Sequence, residues 1–145
     1  MSDKQTFDQE NAREAKRLRD LALKISNHQL TLMLPNGWTV AAAFVHLAFW
    51  DLRQLALLKR WVKDGAKPSS IDADVTNEVI NTMAEAIPPH AAVALAVYAA
   101  GLIDQEVEGL TPAFVEEVLK NGNERMLRRS LHRKDHLDKI EKAIA

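Results

Sequence analysis

The 145-residue sequence contains no cysteine, few aromatic side chains and almost no net charge. Without cysteine the chain has neither a disulfide framework nor a thiolate metal site, and any thiol chemistry requires a thiol from outside the protein. The formal net charge of −1 gives no general attraction to nucleic acid or to an acidic membrane. Hydrophobic residues still make up 47% of the chain, which is enough for a single globular domain over residues 1–145.

Long hydrophobic segments and targeting signals are absent as well. The uncharged apolar run 91–103 is shorter than the roughly 20 residues that a bilayer-spanning helix needs. The first residues are charged and lack the apolar region of a signal peptide. We therefore expect a soluble cytoplasmic protein with no membrane partner.

The sequence predicts helices and no strands, because Ala, Leu, Glu, Lys and Arg dominate and turn residues cluster at only a few places. Apolar residues recur at spacings of three and four, with Thr39 and Thr111-Pro112 as helix starts and Asp64-Gly65 as a helix end. The predicted long helices span about 8–27, 40–63, 89–107 and 124–143, and short ones about 74–86 and 112–119. The predicted fold is all-α, a four-helix bundle with short connecting helices.

Three of the five histidines form the candidate site. His132 and His136 are four residues apart, so on a helix both rings leave the same face with Cβ atoms about 5–6 Å apart. That separation suits one first-row metal ion, whose bonds to imidazole are about 2.0–2.1 Å long. His46 lies in the apolar segment 41–50, where a buried ring needs a partner. Because Ile140 marks a buried side of the last helix, we expect the three rings to meet at one ion.

Each histidine also has a simpler interpretation. His46 alone is typical of a core histidine that donates to a carbonyl or a carboxylate, and histidine pairs on charged helices are often solvated. His28 and His90 lack comparable neighbours, so we interpret both as structural or solvent-facing. Two known metal motifs are excluded: Arg133 stands where an H-E-x-x-H metalloprotease has its glutamate, and no Glu-x-x-His pair of the ferritin-like type occurs.

Residues next to the histidines are candidates for the walls of a substrate pocket. Phe49 and Trp50 follow His46 by three and four residues, where they either line a pocket or pack as ordinary core aromatics. Arg128 and Arg129 lie one turn before the histidine pair, in a basic region of the chain. They either hold an anionic substrate or belong to a solvated basic face.

No carboxylate is placed as a general base, so the catalytic residues are unknown from the sequence. Asp51 and Asp135 are close to a histidine in the sequence without sharing its helix face, and either could orient a ligand histidine instead. Three neutral imidazoles would leave a divalent ion its full charge and open positions for water or substrate.

Three segments together resemble the DinB-like family. Residues 37–51 (GWTVAAAFVHLAFWD) are similar to its tryptophan-then-histidine second helix, residues 131–141 (LHRKDHLDKIE) to its closing helix, and residues 88–112 to its third helix and connection. The resemblance covers nearly the whole chain. It implies a four-helix bundle of the DinB-like type, often a homodimer, with one divalent metal ion, zinc or nickel, held by His46, His132 and His136.

The resemblance implies function only in broad terms. The family includes thiol-dependent enzymes such as mycothiol-dependent maleylpyruvate isomerases and bacillithiol transferases, so a low-molecular-weight thiol is a candidate cosubstrate. In some of these members a glutamate replaces one histidine of the closing pair, whereas this chain has two histidines. The three-histidine form therefore points no more to the thiol-dependent branch than to members without an established activity.

Two functions remain open at this stage. The leading hypothesis is a metal-dependent enzyme that acts on an unknown small molecule, as a thiol-dependent transferase or isomerase or as a hydrolase using metal-activated water. The alternative is a non-catalytic dimeric helical protein in which the metal is structural or absent. Nucleic-acid binding is not expected, because acidic residues interrupt the positive charge of the last helix.

Overall fold

The computed structural model describes residues 1–145 and consists of helices joined by short loops, with no strands. Its helices are α1 (Asp3–Lys24), α2 (Asn27–Leu30), α3 (Val40–Asp64), α4 (Ala73–Ala84), α5 (Pro89–Glu108), α6 (Pro112–Lys120) and α7 (Ser130–Ile144), with a 3-10 turn at Glu124–Met126. α3 packs against α4, α5 and α7, and α1 packs against α5 and α7. The predicted all-α class is confirmed.

Local signals set most of the helix ends. The Thr39 hydroxyl accepts a hydrogen bond from the backbone N–H of Ala42 and begins α3. Gly65 ends α3 with a φ of 91°, a conformation that strains any residue with a β-carbon. Thr111 caps α6, with Pro112 at its first position. These ends are the ones predicted from the sequence.

The predicted course of the first helix is wrong at both ends. α1 begins near the start of the chain rather than at residue 8, because Ser2 and Gln5 form a reciprocal capping box. A second capping box at Ser26 then starts the short α2. His28 therefore lies on α2 and is exposed, as is His90 at the start of α5.

The last helix begins at Ser130 instead of residue 124, because a side chain of α1 occupies the break before it. The Asn11 Oδ1 atom accepts a hydrogen bond from the Ser130 N–H at 2.8 Å, and Asn11 Nδ2 donates to the Leu127 carbonyl, also at 2.8 Å. Asn11 is 2% exposed, so it satisfies backbone groups that water does not reach. Because Asn11 and Ser130 are 119 positions apart in the sequence, no local sequence pattern predicts this cap.

The buried apolar side chains form two clusters rather than one. The larger contains 20 residues and includes the apolar first half of α3, whereas the smaller contains 10 residues and includes Leu58 and Trp61. Between the two clusters each long helix carries a buried polar residue: Asn11 on α1, Asp51 on α3, Asp104 on α5 and Arg133 on α7. A polar layer therefore crosses the core.

Two arginines and two aspartates make this layer electrically neutral. The Arg133 guanidinium, 0% exposed, donates to both Asp104 oxygens at 2.7 and 2.8 Å and to Asp51 Oδ2 at 3.4 Å. Arg133 also donates to the carbonyls of Asn11 and Ala100. Arg129 Nε donates to Asp51 Oδ1 at 2.9 Å. One guanidinium on α7 thus contacts α1, α3 and α5.

α3 is long and apolar enough to cross a membrane by length and composition. Its most apolar window has a mean hydropathy of 1.3, and 56% of that window is buried inside the protein. The sequence pointed to residues 91–103 as the longest apolar run, so this property of α3 was not expected. It is weak evidence for a membrane location, because the central helix of a soluble protein has the same composition.

Removing the carboxylate of Asp104 should destabilise the fold strongly. In Asp104→Ala the Arg133 guanidinium stays buried without its bidentate partner, which costs about 3–5 kcal/mol of unfolding free energy. Urea denaturation measures this loss. Asp20→Ala is the matched control, because it breaks an exposed pair with Lys16 (N–O 2.7 Å) and should cause no measurable change. A small effect of Asp104→Ala would contradict the role given to the polar layer.

Candidate metal centre

The three predicted histidines come together at the interface of α3 and α7. The ring centroid of His46 lies 5.0 Å from that of His132 and 4.5 Å from that of His136, and the last two rings are 4.7 Å apart. The Nε2 atoms of His46 and His132 are separated by 3.0 Å. One ring nitrogen from each histidine lies within 4.8 Å of the other two, an arrangement that could hold a metal ion.

These separations fit imidazole coordination. Two nitrogens bound to one ion at tetrahedral or octahedral angles, with bonds of about 2.0–2.1 Å, lie roughly 2.9–3.4 Å apart. His46 and His132 already have that separation. The remaining nitrogen separations, none above 4.8 Å, would be shortened by a small rotation of the half-buried His136 side chain. The donor set of three imidazoles suits zinc, nickel and other first-row ions.

The helix faces explain why the rings meet. His132 and His136 project from one face of α7, while Leu137 and Ile140 on the adjacent face are fully buried in the larger apolar cluster. Arg133 follows His132 directly and is held in the polar layer, so the rotation of α7 about its own axis is set. The histidine face is thereby directed toward α3.

Burial keeps the three rings neutral. Loss of solvation lowers the pKa of His46 to about 4, assisted by the positive charge that His136 would carry. Loss of solvation and the Arg129 guanidinium lower the pKa of His132 to about 2. Burial also lowers the pKa of His136, although the negative charge of Asp135 opposes the shift, and Lys139 adds to the lowering. Because only unprotonated imidazole binds a metal, the rings are in the ligand form at neutral pH.

The Nδ1 atoms of His46 and His132 are buried and have no hydrogen-bond partner in the chain. The Nε2 atoms are therefore the nitrogens that face each other and that would carry an ion. In many metal sites a carboxylate accepts the hydrogen of the other ring nitrogen. Here Asp51 is bound to Arg129 and Arg133, and Asp135 pairs with Lys139 at 3.2 Å. The suggestion that either aspartate orients a ligand histidine is thus wrong.

The two aromatic residues predicted to line a pocket are both half-buried, and Trp50 lies near His46. The Trp50 ring centroid is 6.3 Å from that of His46, and the Phe49 ring packs edge-on against Trp50 at 5.4 Å. Trp50 Nε1 donates to Asn77 Oδ1 at 2.9 Å, which ties the site to α4. Trp50 therefore covers one side of the histidine cluster, with Phe49 packed behind it.

The two arginines proposed for an anionic substrate lie in different surroundings. Arg128 forms a two-point ion pair with Glu10 of α1, at 2.7 and 3.0 Å, and its guanidinium lies over the Phe7 ring. Arg129 is 3% exposed and paired with Asp51. A solvated basic face is therefore the wrong description of Arg129, whose charge acts on His132 from inside the protein.

Sequence reasoning missed two contacts of the site. The Trp38 ring lies 4.9 Å from the His46 ring. Trp38 precedes Thr39, the N-cap of α3, so helical spacing gives no signal for this contact. Asn77 reaches Trp50 from α4, and no spacing in the sequence connects these two residues.

The metal-free protein should lose stability as the pH falls from about 6.5 toward 4. In this window the unfolded chain protonates His46 while the folded protein keeps the ring neutral, so the unfolded state binds more protons. His46 alone should lower the unfolding free energy by about 3 kcal/mol.

Urea denaturation between pH 7 and pH 4 measures the slope. His46→Gln should flatten it, whereas the exposed control His90→Gln should keep the slope of the unchanged protein. Equal slopes in all three proteins would show that His46 does not titrate as its burial requires.

The site thus combines three neutral imidazoles from two helices, a partial aromatic cover and a buried arginine behind one ring. Such a cluster could hold one divalent ion, with positions left open for a further ligand. No protein-family model, curated protein or solved structure significantly matches this chain.

Proposed function

We propose that this protein binds one divalent metal ion, zinc or nickel, through His46, His132 and His136. The observation that carries the proposal is the 3.0 Å separation of two Nε2 atoms contributed by helices 86 residues apart in the sequence. At that distance two unprotonated imidazoles can form only one hydrogen bond with each other. The rings are then left with too few hydrogen-bond partners. A shared ion satisfies both lone pairs at once.

We further propose that the chain is a four-helix bundle of the DinB-like type. The order of its motifs supports this, because the tryptophan-histidine segment leads into α3, the apolar helix is α5 and the histidine pair lies on α7. The mutual packing of α1, α3, α5 and α7 is compatible with such a bundle.

The proposed activity is that of a metal-dependent enzyme acting on a small molecule. Held by three neutral ligands, the ion would supply Lewis acidity, which polarises a carbonyl or lowers the pKa of a water or of a low-molecular-weight thiol. The chain itself supplies the neutral ligand set and an aromatic cover at Trp38 and Trp50 that limits the access of bulk water. Because the chain has no cysteine, a thiol-dependent transfer or isomerisation would use an external thiol.

Removal of any one of the three histidines should abolish tight metal binding. Loss even of a hydrogen-bond partner behind a metal ligand costs about 10–100-fold in affinity, so His46→Ala, His132→Ala and His136→Ala should each raise the Kd for zinc by about 100-fold or more. The variant with both His28→Ala and His90→Ala is the matched control and should bind zinc normally. Titration against a chromophoric chelator measures these constants for zinc and for nickel.

Zinc at about 100 times its Kd should also add about 2.7 kcal/mol to the unfolding free energy of the unchanged protein and nothing to that of His132→Ala. If the unchanged protein binds neither zinc nor nickel, the metal proposal fails. Turnover is then tested with the zinc-loaded protein, a fluorogenic electrophile and several low-molecular-weight thiols, alongside an activated ester for hydrolysis. His132→Ala gives the background rate.

A second candidate function, a non-catalytic role through dimerisation, is favoured by one surface. Val75, Val79 and Met83 recur every four residues along α4, and each is more than half exposed, at 53–54%. Spacing by four places them on one helix face, so α4 presents an apolar stripe to the outside. We propose this stripe as the contact with a second copy of the chain.

Placing a charge on this stripe should separate the two copies. Val79→Glu should change a dimer into a monomer in analytical ultracentrifugation, while the similarly exposed Val62→Glu on α3 (Val62, 53%) should leave the mass unchanged. Zinc binding should persist in both variants. A monomeric unchanged protein would remove the dimer proposal and leave the metal centre untouched.

A further inference from the structure

A groove of about 670 Å³ opens directly beside the histidine cluster. His136 is part of its lining, so the groove and the candidate metal centre share a residue. One wall is the loop before α3, with Leu32, Met33 and Leu34, and the other is the last part of α7, with Lys139 and Lys142. Its volume lies within the range of about 300–1,000 Å³ that is usual for small-molecule sites.

The apolar wall of the groove is held in place by its own backbone. The Leu34 N–H donates to the Trp38 carbonyl at 2.7 Å, and the Val40 N–H donates to the Leu32 carbonyl at 2.9 Å. Between these bonds the chain reverses at Gly37, whose φ of 88° suits glycine. Met33 is 61% exposed on this ordered loop. The groove therefore offers a preformed apolar surface that no other part of the chain covers.

The charged wall has only one sign. None of the nine residues lining the groove is acidic, although the chain as a whole has 20 acidic and 19 basic residues. Lys142 takes part in none of the ion pairs of the chain. Lys139 pairs with Asp135 at 3.2 Å, but both side chains are more than half exposed, and such pairs are weak. Both ammonium groups are thus free to bind an incoming anion.

The metal centre adds to this preference. Its three candidate ligands are neutral. Arg125, Arg129 and Lys139 place positive charge near the rings, and Asp135 is the one acidic group that acts on them. A divalent ion bound there would have no carboxylate ligand from the chain to balance its charge. An anion in the adjoining groove provides that balance.

We infer that the groove binds an amphipathic organic carboxylate, with its carboxylate at Lys139 and Lys142 and its apolar body against Leu32 and Met33. The inference deepens the proposed function, since it makes the groove the substrate pocket of the metal centre. Lys139 and Lys142 follow His136 by three and six residues, which is roughly 4.5–9 Å along the helix axis.

The test compares decanoate with its neutral analogue decanamide on the full chain. Binding is followed by tryptophan fluorescence and by backbone amide NMR shifts, in metal-free and in zinc-loaded protein. Decanoate should bind at least about tenfold more tightly than decanamide and should shift the signals of residues 32–36 and 136–143.

Charge-reversal variants identify the groups that hold the carboxylate. Lys142→Glu should weaken decanoate binding about fivefold or more, and the double variant with Lys139→Glu still more, while decanamide binding stays unchanged. Lys120→Glu on α6, where the side chain of Lys120 is 75% exposed, is the matched control and should have no effect. Met33→Ser should weaken both probes, because it removes apolar contact from the groove wall.

Failure of this inference is distinguishable from failure of the metal proposal. Equal binding of decanoate and decanamide, or decanoate binding that survives the double charge reversal, overturns the inference even if zinc binds normally. If decanoate binds in the groove but the chain binds neither zinc nor nickel, the carboxylate site stands and its link to a metal centre is lost.

Discussion

The arrangement of the helices depends on one buried guanidinium. Arg133 is fully enclosed and contacts groups of α1, α3 and α5 from its place on α7. Enclosing such a charge is expensive unless opposite charges and hydrogen bonds surround it, and here Asp104 and Asp51 supply the charges. Apolar packing tolerates many helix rotations, whereas a guanidinium with fixed donors tolerates few. The polar layer therefore selects one alignment of the long helices.

That alignment is also what assembles the histidine cluster. His132 is the neighbour of Arg133 in the sequence, so the rotation that buries the guanidinium among the helices turns the His132 and His136 rings toward His46. On α3, Asp51 plays the corresponding part. It is bonded to Arg129 and Arg133, and it lies between the buried His46 and the second apolar cluster. Structure and candidate function are thus linked through adjacent residues on two helices.

The sequence allowed the helix class, most helix ends and the three histidines to be predicted, because each has a short-range signature. Thr39 and Gly65 act within one turn, and the spacing of His132 and His136 is a property of one helix. The missed features are long-range. Asn11 caps a helix from 119 residues away, and Arg129 belongs to a buried pair that is formed only when α3 meets α7. The local sequence around a basic residue on a charged helix is the same whether its side chain is solvated or is paired with an aspartate of another helix.

The use of both buried aspartates in the polar layer has a consequence for the chemistry of the centre. Asp51 and Asp104 neutralise Arg129 and Arg133, and the third buried carboxylate, Glu14, pairs with Arg17. No buried carboxylate therefore remains to accept a hydrogen from a ring nitrogen or to offset a divalent ion. An ion bound there would be in a more electropositive site than one supported by carboxylates, and would be the stronger Lewis acid. The balancing negative charge would then have to come from a bound molecule. The groove beside His136, lined by Lys139 and Lys142, is where we propose that such an anion binds.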